Sequence, residues 1–94
     1  MTQTTEEVFA ERGKRYGRFA YHALITQQLK AQAREFCAER NKELSADQEE
    51  ALDMIFHKIG RILNGDPDYS DSWRDIAGYA TLVADRLDGV QERL

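Results

Sequence analysis

The chain has 94 residues, a net charge of −4 and a pI near 5.1. That length supports one small domain over 1–94 rather than two, and the acidic balance argues against a general nucleic-acid binder, which needs a basic face. One proline and six glycines, with 41% hydrophobic and 32% charged residues, favour helices over a turn-rich β fold.

Cys37 is the single cysteine, so an internal disulfide and a cysteine-rich zinc site are both excluded. A free thiol suits a reducing compartment. No apolar run approaches the ~20 residues that cross a bilayer, and the N-terminal residues lack the basic start and apolar core of a signal peptide. These features predict a cytoplasmic protein with no membrane contact.

Residues 1–4 are expected to be frayed. Thr4 or Thr5 caps a short first helix with Glu6 and Glu7 in its first turn, where the helix dipole favours acids. Gly17 marks a break. A long second helix is predicted from about Arg18 to Arg40. Its stripe is His22, Ile25, Thr26, Leu29, Ala33, Phe36 and Cys37, extended by Phe19. Ser45 and Gln48 form the signature of a capping box, which starts a third helix running to about Leu63. Leu52, Ile55, Phe56, Ile59, Ile62 and Leu63 make its apolar stripe the cleanest in the chain. Asn64-Gly65-Asp66-Pro67 is a strong stop. Ser70 or Asp71 then caps a fourth helix to about Glu92, with Trp73, Ile76, Ala80, Val83 and Leu87 as its seam.

The predicted fold is all-α: a small antiparallel bundle of three main helices plus a short N-terminal one. Such a bundle has a thin core, so association into a homo-oligomer is expected to help it. Gly78 points the same way. A mid-helix glycine costs ~1 kcal/mol against alanine, and close approach by another helix or a ligand is one reason to keep it.

Two acidic groups stand out. Glu49, Glu50 and Asp53 lie near the start of the third helix, and Asp71 and Asp75 share one line on the fourth. Acids one turn apart on neighbouring helices can cage a hard cation such as Mg²⁺ or Mn²⁺, although a solvated acidic surface has the same pattern. Lys58 and Arg61, also one turn apart, can hold a phosphate or complement the helix C-terminus. Lys14, Arg15 and Arg18 form a second basic cluster around Tyr16. Tyr79, at the edge of the fourth seam, can stack on a base or pack in the core. His22 reads as a hydrogen-bonded structural histidine and Trp73 as core. No catalytic nucleophile can be assigned.

Lys58-Ile-Gly-Arg61-Ile-Leu-Asn-Gly65, followed by Asp71-Ser-Trp-Arg-Asp75-Ile-Ala-Gly-Tyr79-Ala, resembles a family of small bacteriophage proteins of unassigned function. Arg15-Tyr-Gly-Arg-Phe19 resembles that family's early Tyr-Gly element, and the likeness covers most of residues 12–87. The phage family is in turn similar in pattern to the MazG-like all-α nucleotide pyrophosphohydrolases, which carry Glu-x-x-Glu on one helix and Glu-x-x-Asp on the next. Glu50-Ala-Leu-Asp53 fits the first motif with a conservative change, and Asp75 fits the end of the second. Ser72 stands where that second motif has glutamate. Asp71, one residue earlier, differs in reach and angle.

The resemblance implies Mg²⁺-dependent binding or hydrolysis of a nucleoside triphosphate. The acids would hold metal and Lys58 or Arg61 would steady the phosphates, in a site that in this superfamily often lies between subunits; Tyr79 joins the substrate-binding candidates from its place on the fourth helix. The serine at position 72 favours the alternative, a non-catalytic interaction protein that binds a host or phage protein. Either would act in the host cytoplasm.

Overall fold

A computed structural model gives the fold and describes residues 2–91. Among these the chain is all-helical: α1 (Thr5–Tyr16), α2 (Phe19–Glu39), α3 (Ala46–Asn64) and α4 (Ser70–Leu87). Local chemistry explains most boundaries. Thr4 Oγ1 accepts the Glu7 N–H at 3.1 Å, a cap of the kind that contributes about 1 kcal/mol. Gly17, at φ +76°, turns α1 into α2 in a conformation that L side chains rarely adopt. The Ser45 N–H donates to Gln48 Oε1 at 2.9 Å, and Ser45 Oγ donates to Asp47. Gly65 ends α3.

The start and end of α4 differ from the sequence expectation. Tyr69 holds the cap position without a side-chain cap, so Ser70 and Asp71 lie in the first turn. The helix stops at Leu87, where Asp88 and left-handed Gly89 turn the chain. Glu92, its expected end, lies outside the described residues.

The helices pack as an open layer. α3 is central, α2 and α4 flank it antiparallel, and the backbones of α2 and α4 do not meet. Successive helix residues turn by ~100°, so Gly60 points about half a turn away from Ala51 and Lys58. Gly60 meets Thr26 and His22 of α2. Lys58 meets Asp75 of α4. α1 lies across one face of this layer, where the Arg61 guanidinium sits 4.1 Å from the centre of the Tyr16 ring.

This placement corrects the predicted core. Ile59 and Leu52 project about a quarter-turn from both neighbours and opposite to Arg61, so α1 leaves them uncovered. Leu52 is 37% and Leu63 67% exposed, while Ile55, Phe56, Ile59 and Ile62 are only half-buried. The most enclosed residues are instead His22, Thr26, Ala51, Lys58, Gly60 and Ser72. Trp73, assigned to the core by its spacing, is 54% exposed. The side of α4 that faces α3 begins at Ser72, one residue and ~100° away.

One end of the layer is locked. Asn64 Nδ2 donates to the carbonyls of Tyr16 (2.9 Å) and Arg18 (2.8 Å), and the Asp66 N–H donates to Arg15 O at 2.6 Å. A β-carbon on Gly65 would collide with the Arg15–Tyr16 backbone. The α1–α2 turn and the end of α3 therefore meet backbone to backbone.

Candidate functional site

The acids expected to form one site are distributed around α3. Asp75 Oδ2 accepts from Lys58 Nζ at 2.8 Å. Lys58 is 8% exposed, so this carboxylate is the counter-charge that lets an ammonium lie between α3 and α4. Asp71 Oδ2 accepts the Tyr69 hydroxyl at 2.9 Å, and its other oxygen lies 3.7 Å from Arg74. Glu49 and Asp53 line a cavity of about 170 Å³ against α2, beside Lys30, Arg34 and Cys37. Glu50 lines a groove between α3 and α4 with Tyr79, Asp85 and Arg86. Among the described residues, no three His, Cys, Asp or Glu side chains gather into a group that could hold a metal ion. Ser72 is enclosed at 4% exposure, on the side of α4 that packs against α3.

The three substrate-binding candidates also part. Lys58 is committed to Asp75 and Tyr79 is half-buried in the α3–α4 groove. Arg61, about 60° round α3 from Lys58, turns toward α1 and joins the basic cluster around Tyr16.

There the helices build a cleft of about 550 Å³. α1 contributes Phe9, Arg12 and Tyr16, the turn contributes Arg18, α2 contributes Phe19 and His22, and α3 contributes His57 and Arg61. Arg12, Arg18 and Arg61 have no carboxylate within ion-pair distance among the described residues. Nearby Arg15 is tied down: it donates to the Tyr69 hydroxyl at 2.8 Å and lies 3.4 Å from Glu11. Two aromatic rings of the cleft are strongly exposed, Phe9 at 67% and Phe19 at 78%.

The floor of the cleft is a histidine pair. His22 Nε2 and His57 Nδ1 are 3.1 Å apart, with the rings edge to face. One proton shared between two neutral imidazoles satisfies that contact. Burial lowers both pKa values, with the positive charge of Arg61 adding to it, and His57 falls to about 4. His22 Nδ1 is enclosed and has no well-aligned hydrogen-bond partner among the described residues, with the Gly60 backbone as its nearest polar neighbour. It lies against Gly60, where a β-carbon would approach it to 2.9 Å.

A second polar cluster closes the far end of the α3–α4 seam. Arg86 donates to both Asp47 oxygens at 2.7 Å and to Ser45 Oγ at 2.9 Å. Hydrogen bonding from Arg86 and Ser45 lowers the Asp47 pKa to about 2.

The histidine pair is not legible from spacing, because its members are 35 residues apart on different helices. The approach of α2 requires the glycine at position 60, which nothing in the sequence distinguishes from Gly78. Comparisons with protein-family models, curated proteins and solved structures find no match. The functional reading therefore rests on the residues of this chain.

Proposed function

We propose that this protein binds a phosphate-bearing nucleotide in the cleft between α1, α2 and α3. The observation that carries the reading is the set of three arginines, Arg12, Arg18 and Arg61, without carboxylate partners in one cleft of a protein with net charge −4. Arginine forks match phosphate oxygens in pairs, and the exposed Phe9 and Phe19 rings offer a base an apolar face. The neutral histidine pair adds polar nitrogens without adding charge.

The Mg²⁺-assisted hydrolysis implied by the MazG resemblance gains no support from this geometry. Within one chain the acids lie apart: Asp75 is held by Lys58, Asp71 by Tyr69 and Arg74, and Glu50 lines a different groove from Glu49 and Asp53.

Calorimetric titration with a nucleoside triphosphate at low salt tests the proposal. Binding should weaken at least tenfold in Arg61→Ala and in Arg18→Ala, and it should weaken as salt rises. Arg74→Ala, an exposed arginine on α4 outside the cleft, should bind as the parent does. Absence of binding at millimolar nucleotide, or equal losses in all three variants, would refute the cleft.

A further inference from the structure

The exposed side of α4 is apolar and symmetric about its centre. Trp73, Ala77, Ala80, Ala84 and Leu87 follow one another at helical spacing, and all five are exposed. Trp73 is 54% and Leu87 59% exposed. They stand two turns either side of Ala80, with alanines between. Reversed end for end about Ala80, the stripe superimposes nearly on itself: large, small, small, small, large.

The stripe also continues onto α3. The polar contacts of the α3–α4 seam, Lys58 with Asp75 and Asp47 with Arg86, lean toward the side where Arg61 and α1 lie. Helical periodicity puts Trp73, Ala80 and Leu87 on the opposite flank of α4. On α3 the same side carries Ile59, Leu52 and Leu63. One broad apolar face thus runs across two helices, away from the arginine cleft.

The open layer leaves more surface bare than a compact chain does. A compact monomer of 10.8 kDa exposes about 5,500 Å², and this chain exposes 7325 Å². The excess, roughly 1,800 Å², is shared by this face, the arginine cleft and the exposed side of α2, and is of the order that one partner buries in an obligate homodimer. The radius of gyration, 15.8 Å, likewise exceeds the ~12 Å of a compact chain this long.

We infer that a second copy of this chain covers the face, with the two α4 helices antiparallel and a two-fold axis near Ala80. A two-fold interface must be self-complementary, and the stripe is. Trp73 of each copy meets Leu87 of the other, while facing alanines let the helices approach closely. The stripe contains no charged residue, so two chains of net charge −4 can meet there without opposing charges at the contact. A partner of different shape has no need of that symmetry.

Sedimentation and light scattering between 1 and 100 µM test the inference, with circular dichroism to confirm folding. The parent should be a dimer. Ala80→Glu places two carboxylates at the axis and should weaken association at least tenfold while keeping the helical spectrum. If that variant fails to fold, a cysteine pair keeps the test decisive. In a Cys37→Ser background, Ala80→Cys should form an inter-chain disulfide on mild oxidation, and Gly78→Cys, on another side of α4, should not. A folded monomer at 100 µM would overturn the inference and return the face to a different partner. A dimer that ignores Ala80→Glu, or that cross-links through position 78 rather than 80, would overturn it too. Nucleotide titration reads the arginine cleft separately, so the two proposals can fail independently.

Discussion

Asp75→Asn has opposite consequences under the two accounts of this residue. If Asp75 belongs to a cluster of mutually repelling acids, removing its charge leaves the metal-free protein as stable or more stable. The observed geometry gives the other sign. Lys58 is 8% exposed and its Nζ lies 2.8 Å from Asp75 Oδ2, so asparagine leaves a buried ammonium without its counter-charge. Breaking a fully buried pair costs about 3–5 kcal/mol. The Asp75 side chain is 47% exposed, and water screens part of the interaction, so a loss of about 1–2 kcal/mol is expected. Urea denaturation followed by circular dichroism measures this directly. Lys58→Met should recover most of the loss in the Asp75→Asn background, because no charge then remains buried. Equal or greater stability of Asp75→Asn alone would refute the ion-pair argument and reinstate acid repulsion.

The histidine pair makes stability depend on pH. Both pKa values lie below the usual 6.5, with His57 at about 4, so the unfolded chain takes up protons first. Stability is complete above pH ~6.5 and falls on acidification toward pH 4, by at most ~1.4 kcal/mol per pH unit for each histidine. Urea midpoints at pH 7 and 5 should show the fall, and His57→Gln should reduce it; an unchanged slope would count against the pair. Gly60→Ala should lose about 1–2 kcal/mol, because its β-carbon would lie 2.7 Å from Thr26 Cγ2, outweighing the gain in helix propensity. Gly78→Ala meets nothing within 4 Å and should gain up to ~1 kcal/mol; thermal melts of the two variants should move in opposite directions. Millimolar Mg²⁺ or Mn²⁺ without nucleotide should leave the melt unchanged beyond ionic screening. A rise that disappears in Asp53→Asn would restore the metal reading.

The helices and the caps of α1 and α3 are legible in the sequence because local chemistry decides them, whereas the α4 cap falls at Tyr69 rather than at Ser70 or Asp71. Thr4, the Ser45–Gln48 pair and Gly65 act within a few residues of their own position. Burial is less legible. The α3 stripe from Leu52 to Leu63 identifies an apolar surface, and periodicity alone does not say whether the same chain covers it. On α4, the line containing Ser72, Ile76, Tyr79 and Val83 lies close to the line containing Trp73, Ala80 and Leu87. The bulk of Trp73 favours the second line, but Lys58 and Asp75 draw the first against α3. The candidate site presents the same difficulty. Arg61 stands out in the sequence as a basic group, but its neighbours at Arg12, Arg18 and His22 depend on the packing of α1 and α2. Gly60 and Gly78 look alike in sequence, and only Gly60 has another helix against it.

The junction around Asn64 makes the connection between α3 and α4 behave unlike a surface loop. Its Asp66 amide is held by Arg15 O, and the neighbouring Asn64 side chain bridges Tyr16 and Arg18. Hydrogen exchange at that amide should therefore be slow, and an insertion between Asn64 and Asp66 should separate α1 from the layer and dismantle one wall of the arginine cleft. Ahead of Ser45, which Arg86 holds, residues 40–44 of the α2–α3 connection have no such backbone anchor among the described residues and should accept added residues. The two ends of this small protein thus differ in their tolerance of evolutionary change, and sequence variation should collect at the α2–α3 turn.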